Sequence, residues 1–203
     1  MKSKLSELAQ IKFLGKSSIV NKGDILFRRA GNIGETILVK SRKKIDKTQT
    51  FVLITADKKI VSPEYLFTVL SSCQSSFKRK STGNTLKHIT LEKLKNHQIL
   101  IKTKIQQKSI TSKYGKLLSN MQSAQTKFDK VEQDFLWILN DAMRSRTIIH
   151  AHKYQNWTKL LRFVPLDQRE SLIKKLKTKE KIVKKLETEF KKQQQILNKF
   201  KIS

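Results

Sequence analysis

The side chains here with the types and spacing to do chemistry are basic and amide residues gathered in three loop-like stretches. The first is Arg28-Arg29, running into Gly31-Asn32. The second is Lys78-Arg79-Lys80. The third is Gly83-Asn84-Thr85, followed by Lys87 and His88. Arg and Lys contact phosphate oxygens and guanine edges, Asn reads adenine, and Thr serves either. One such cluster alone reads equally well as a solvated face. Three of them on one strongly basic chain favour contact with nucleic acid.

Catalytic arrangements are harder to find. No glycine-rich phosphate loop followed by Lys-Ser/Thr occurs, and no dinucleotide fingerprint. Gly31-Asn32-Ile33-Gly34 holds two glycines in a loop and reads as a turn. His150 and His152 stand two apart without a Cys or nearby carboxylate to complete a metal set, which favours a structural or solvated role. Asp24 and Glu64 are conceivable as a nuclease pair, but one sits at a turn and the other at a helix start. The expectation is a chain that is not an enzyme, with no cofactor and no metal. Cys73 is alone, so no internal disulfide forms; this predicts an intracellular, cytoplasmic protein, with Cys73 packed inside a helix.

Charge narrows the partner. The 203 residues carry 44 Lys and Arg against 16 Asp and Glu, a formal charge of +28. Such a chain is drawn to polyanions, and duplex DNA binds through counterion release. An anionic membrane is the competing surface, but no apolar run approaches 18 residues and no signal peptide is visible, so no membrane role is expected. Lys outnumbers Arg heavily, and nucleotide bias in a genome produces that; it does not explain so few acids.

The elements that must position these loops follow from the patterning. Met1–Ser17 forms a short amphipathic opening, either a helix turn or a strand. Asn21-Lys22-Gly23-Asp24 is a turn signal, followed by a buried strand at Ile25-Leu26-Phe27. Further strands are predicted at Glu35–Val39, Gln49–Ile54 and Gln98–Lys102, where β-branched and aromatic residues concentrate. Pro63 opens a helix with Glu64 in its first turn, ending near Ser75. A short turn follows at Leu91–Leu94.

Beyond this the texture changes. From Ile110 to Ala142 apolar residues recur at alternating steps of four and three: Tyr114, Leu117, Met121, Ala124, Phe128, Val131, Phe135 and Ile138 lie between. That is the seam of a helix packed lengthwise on another helix. At 1.5 Å per residue it is roughly 50 Å long. A connector with Trp157 and a possible short helix follows. A second seam then runs from Leu172 to Phe200, with Lys179 and Gln193 filling its two polar positions. The two helices can pair in antiparallel fashion within the chain or with another chain. Their uneven seams suit a defined protein partner. The fold class is thus α+β: a small mixed domain over 1–102, a long coiled-coil helix over 103–145, a connector over 146–165 and a second coiled-coil helix over 166–203.

In order, these residues resemble a known pattern. Lys22-Gly23-Asp24-Ile25-Leu26-Phe27-Arg28-Arg29-Ala30-Gly31 is similar to the strand-turn of the specificity (S) subunits of type I restriction–modification systems. Pro63-Glu64-Tyr65-Leu66 falls where those subunits start a helix, and Ser81–Ile89 resembles their glycine-containing loop before the turn at Leu91–Leu94. Val164-Pro165-Leu166-Asp167-Gln168 looks like the element that opens their coiled-coil helices. The resemblance spans about 18–200 and implies a target-recognition domain that reads double-stranded DNA. It implies helical arms that dock methyltransferase (M) and restriction (R) subunits, with a homodimer as a further option. There are departures. Only 17 residues precede Ser18, one recognition domain stands where full-length subunits have two, and the Pro165 element comes after the first long helix. A half-length subunit that pairs with itself, or a shortened relative, would have this form. The alternative from another class is a non-catalytic basic coiled-coil adaptor that binds nucleic acid without choosing a sequence.

Overall fold

The computed structural model of the chain describes residues 1–14, 17–46, 50–83, 87–142, 158, 164 and 166–200. Two compact units emerge, Met1–Gly115 with Phe200–Ser203, and Lys116–Lys199. In chain order the elements are β1 (Lys2–Lys4), α1 (Leu5–Leu8), β2 (Ala9–Phe13), β3 (Ser18–Val20), β4 (Ile25–Arg28), β5 (Thr36–Leu38), β6 (Lys43–Ile45), β7 (Phe51–Ala56), α2 (Pro63–Ser72), α3 (Gln74–Lys80), α4 (Leu91–Lys95), β8 (Gln98–Leu100), α5 (Lys104–Ala142) and α6 (Leu166–Lys199).

The first unit is built on a four-stranded antiparallel sheet in the order β2-β7-β4-β5. Strand β4 is apolar throughout at Ile25-Leu26-Phe27, and all three residues are buried. A strand reads that way when both faces of its sheet are covered. Ile25, Phe27, Val52 and Ile54 point to one side, into a core with Tyr65, Leu66, Leu70 and Phe77 of the helices. Leu26 and Leu53 alternate to the other side and meet Leu14, Val20 and Val39 in a smaller cluster. Two short ladders complete the unit, β1 with β8 and β3 with β6.

Helix α2 begins as its sequence predicts: Pro63 takes the first position and the Ser62 hydroxyl accepts from the Tyr65 N–H. It stops at Ser72, and the chain restarts as α3 after Cys73. Gly34 fits this junction closely. It has φ +82°, and a Cβ there would lie 2.9 Å from Gln74 Cγ and 3.0 Å from Gln74 Cα. A larger residue at 34 would drive the loop off the α2–α3 corner. Asp24 serves its turn: one carboxylate oxygen accepts from the Asn21 N–H and the other from the Thr55 hydroxyl, each at 2.7 Å. The opening stretch, readable as helix turn or strand, is both, in the order β1, α1, β2.

In the second unit α5 and α6 pair. The Phe128 ring stacks on Phe190 at 6.5 Å and Lys179 Nζ lies 3.4 Å from Asp134 Oδ2, so the two helices run antiparallel. Their shared core holds Phe135, Leu136, Val164, Leu172, Leu176 and Val183. The seam residues of α5 from Ile110 to Ile138 are all buried or half-buried. On α6 the polar seam positions Lys179 and Gln193 are half-buried too. Lys179 is tolerated there because Asp134 answers its charge. His150, His152, Trp157 and most of the connector lie outside the described residues.

Candidate nucleic-acid interface

The basic loops converge at one end of the sheet. Pairing sets Phe13 of β2 opposite Val52 of β7, and Phe51 opposite Arg28 of β4. The chain leaves β4 through Arg29 and Ala30, turns at Gly31 (φ +75°) and Gly34 (φ +82°), and returns as β5. The Gly31–Gly34 stretch is therefore a turn, as its sequence predicts.

Each arginine is held by an aromatic ring and an oxygen. The Arg28 guanidinium lies 4.7 Å from the Phe51 ring centre, and its Nε sits 3.0 Å from Glu35 Oε2. The Arg29 guanidinium lies 5.2 Å from the centre of Phe13, and its Nε donates to the Ile89 carbonyl at 3.3 Å. Stacking fixes the plane of a guanidinium and leaves N–H edges for bidentate contact with a base or phosphate. The Phe13 ring remains 52% exposed beside Arg29.

The second loop is tied directly to the first. The Ile89 N–H donates to the Arg29 carbonyl at 2.9 Å, and Ala30 bridges His88 in antiparallel register. His88 and Thr82 exchange two backbone hydrogen bonds of 2.8 Å, closing the loop between them. Gly83 within it has φ +112°. Lys87 is exposed and His88 half-buried. Asn84 and Thr85 fall outside the described residues. Asn32 is exposed, and its amide donates to Glu35 Oε2 at 3.4 Å and accepts from Gln74 Nε2 at 3.2 Å. It thus joins the loop to the start of α3.

Lys78, Arg79 and Lys80 form the exposed last turn of α3, immediately before the Thr82–His88 bridge. Cations are favoured at a helix C-terminus, where unpaired carbonyls face them. Lys80 also looks inward. Its Nζ lies 3.5 Å from Nδ1 of His97, a buried ring packed 4.4 Å from Phe77. Burial first, and the Lys80 charge second, push the His97 pKa down to about 4. His97 is therefore neutral at ordinary pH.

Sequence reasoning brings Arg28, Arg29, Asn32, Lys87 and His88 to attention; the fold ties Arg29 to Ile89, next to His88, and ties Asn32 to Gln74. It misses Phe13, Phe51 and Glu35. Phe13 lies in the ambiguous opening and Phe51 reads as an ordinary strand residue. Only the β2-β7-β4 pairing sets them under the arginines, and no local signal reports that pairing. Among the described residues no cluster of three His, Cys, Asp or Glu side chains could hold a metal ion. Burial raises the Cys73 pKa, and both oxygens of Asp24 are occupied within the fold. Among the described residues no helix is long and apolar enough to cross a membrane.

Known proteins give a consistent comparison. The chain is similar in fold to the S subunit of the type I restriction-modification system from M. genitalium, at 16% identity with a TM-score of 0.51. That likeness covers 70% of this chain and 46% of that one. A chain from a structure addressing complex assembly and conformational transition of the type I R-M system is similar at 14% identity and a TM-score of 0.52, over 70% of this chain and 48% of that one. The present chain thus spans about half the length of these solved relatives. No curated protein matches it by sequence. The family model for the type I restriction modification DNA specificity domain matches residues 6–133. A match over more than half of the sequence, with the same fold, means that the chain belongs to the type I restriction–modification DNA specificity domain family.

Proposed function

We propose that this chain is the sequence-reading part of a type I restriction–modification complex. Residues 1–102 read duplex DNA through the Arg28–Glu35 loop and the Thr82–His88 loop. The long helices over 103–145 and 166–203 dock methyltransferase (M) subunits and, through them, restriction (R) subunits, or a second copy of the chain. Chemistry on DNA belongs to those partners, and the chain works in the cytoplasm beside them. The observation that supports the reading is the double tie between Arg29 and Ile89, 60 residues apart, which holds the segment after His88 against the arginine loop. A surface assembled from two loops and backed by a sheet holds its N–H donors in fixed directions, as reading base edges requires.

The direct test is to replace Arg28 and Arg29 with Ala and measure binding to a preferred duplex and to a scrambled one. Each contact that reads a base contributes about 1–3 kcal/mol, so the preferred duplex should lose roughly 5- to 150-fold per contact and the scrambled one much less. An equal loss on both means that these arginines touch phosphate only. The chain would then fit the adaptor that binds nucleic acid without sequence choice.

A further inference from the structure

The two helices of the second unit present different outer faces. On α6 the seam residues Leu172, Leu176, Lys179, Val183, Leu186 and Phe190 are buried or half-buried, and the four-three spacing continues through Gln193 and Leu197. In such a helix the three heptad positions farthest from the seam face solvent. Between Leu172 and Phe200 there are twelve of these. Eight are lysine, the others are Thr178, Thr188, Gln195 and Asn198, and none is acidic or apolar. All eight lysines are exposed. Lys184 and Lys191 pair along the helix with Glu180 and Glu187, which sit beside the seam. Lys174, Lys177, Lys181, Lys185, Lys192 and Lys199 make no ion pair among the described residues.

A general excess of lysine does not produce this pattern. The same twelve positions of α5, between Ile110 and Ile138, hold two lysines, Lys116 and Lys130, with Asp129 between them. The rest are Ser, Thr, Gln, Gly and Trp, together with Leu136, which is buried in the shared core instead of facing solvent. Lysines spaced four apart, such as Lys177, Lys181 and Lys185, repel one another and weaken the helix unless something neutralises them. A protein partner would leave a different mark, because interface cores carry apolar or aromatic anchors and are depleted in Lys. The twelve outer positions of α6 hold none; its exposed Ile182 and Ile196 lie to one side of the lysine row, where a protein partner of the helices can still pack. From Lys174 to Lys199 the array is about 38 Å long, close to one turn of B-form duplex at roughly 34–36 Å.

We infer that the outer face of α6 is a phosphate-backbone surface, a lysine row that binds duplex nucleic acid whatever its sequence. Its partner is duplex phosphate, and the flexible, point-like ammonium of lysine suits a contact that must not select bases. The inference adds a second nucleic-acid surface to the loops and does not depend on their reading sequence.

The test uses the full chain and a duplex of random sequence. Lys174, Lys181, Lys185 and Lys192 are replaced together by Gln, which keeps helix propensity close to that of Lys. Each lost phosphate contact lowers the slope of log K against log salt by about 0.9, so the slope should fall by about two to four. The loss of affinity should be the same on every duplex. Replacing Lys113, Lys116, Lys127 and Lys130 of α5 by Gln is the matched control, expected to change the slope by less than about one. An α6 variant with the original slope overturns the inference, and so does an equal fall in both variants. Lysine acetylation of the unaltered chain, read by mass spectrometry, needs no variant. Duplex should protect the α6 lysines more than those of α5, and absence of protection overturns the inference. Protection by an acidic protein but not by duplex overturns it as well. If sequence preference vanishes while the α6 effect stands, the loops fail as readers and the lysine face does not.

Discussion

Arg28 and Arg29 are adjacent in sequence but are restrained in different ways, one by Glu35 and Phe51, the other by Ile89 and Phe13. Arg28 already has a carboxylate partner, so a phosphate or base must compete with Glu35 for it. Among the described residues Arg29 meets a carbonyl and an aromatic face, and it keeps more of its donors for a ligand. Behind them His97 makes the domain sensitive to acid. Unfolded, its ring takes up a proton near 6.5, but folded only near 4. Between those values the unfolded chain binds a proton that the folded chain does not, so stability falls as the pH is lowered through that window. The loss attributable to this ring is on the order of 3 kcal/mol at most. Denaturant midpoints measured from pH 7 to pH 4 should fall for the natural chain and fall less for His97→Phe. Parallel curves would mean that another group is responsible.

At the scale of elements, the long helices carry their own plan. Phe135 is fully buried in the α5–α6 core and Phe128 half-buried against Phe190. Phe135→Ala should therefore destabilise the helical pair by about 3–5 kcal/mol. Phe128→Ala should cost less, and the helical melting curve separates the two. Equal melting of both variants would show that the seam is not the organising contact. This seam was legible in the sequence because a 3.5-residue period is a local pattern, repeated many times over. Even Lys179 could be assigned to it by spacing before Asp134 explained the charge. Strands β4, β5 and β7 were legible from apolar and β-branched runs. So was β8, inside the strand expected over Gln98–Lys102, but β1 and β6 were not: β1 pairs with β8 across most of the first unit, and β6 is mostly exposed lysine with no apolar alternation. The site was half legible for the same reason. Residue types marked the two loops, but their joining at Ile89, and the rings beneath the arginines, come from long-range pairing that leaves no local trace.

Taken whole, the chain is a folded α+β unit and a helical pair that share a charge of +28. Such a charge attracts polyanions, duplex DNA among them. If six or more phosphates are neutralised, affinity should fall about a thousandfold between 50 and 200 mM salt. A nearly flat dependence over that range would argue against a nucleic-acid partner altogether. Salt dependence alone leaves open whether the loops choose a sequence, and that choice is the central claim. Specific readers bind their site about 10³-fold or more above other DNA at physiological salt. The decisive measurement is selection of bound duplexes from a random pool by the full chain, with the methyltransferase subunit proposed as its partner present, at about 150 mM salt. One recurring short sequence, lost when Arg29 is replaced by Ala, is the expected result. A bound pool with no enriched sequence, retained in proportion to duplex length, would contradict it.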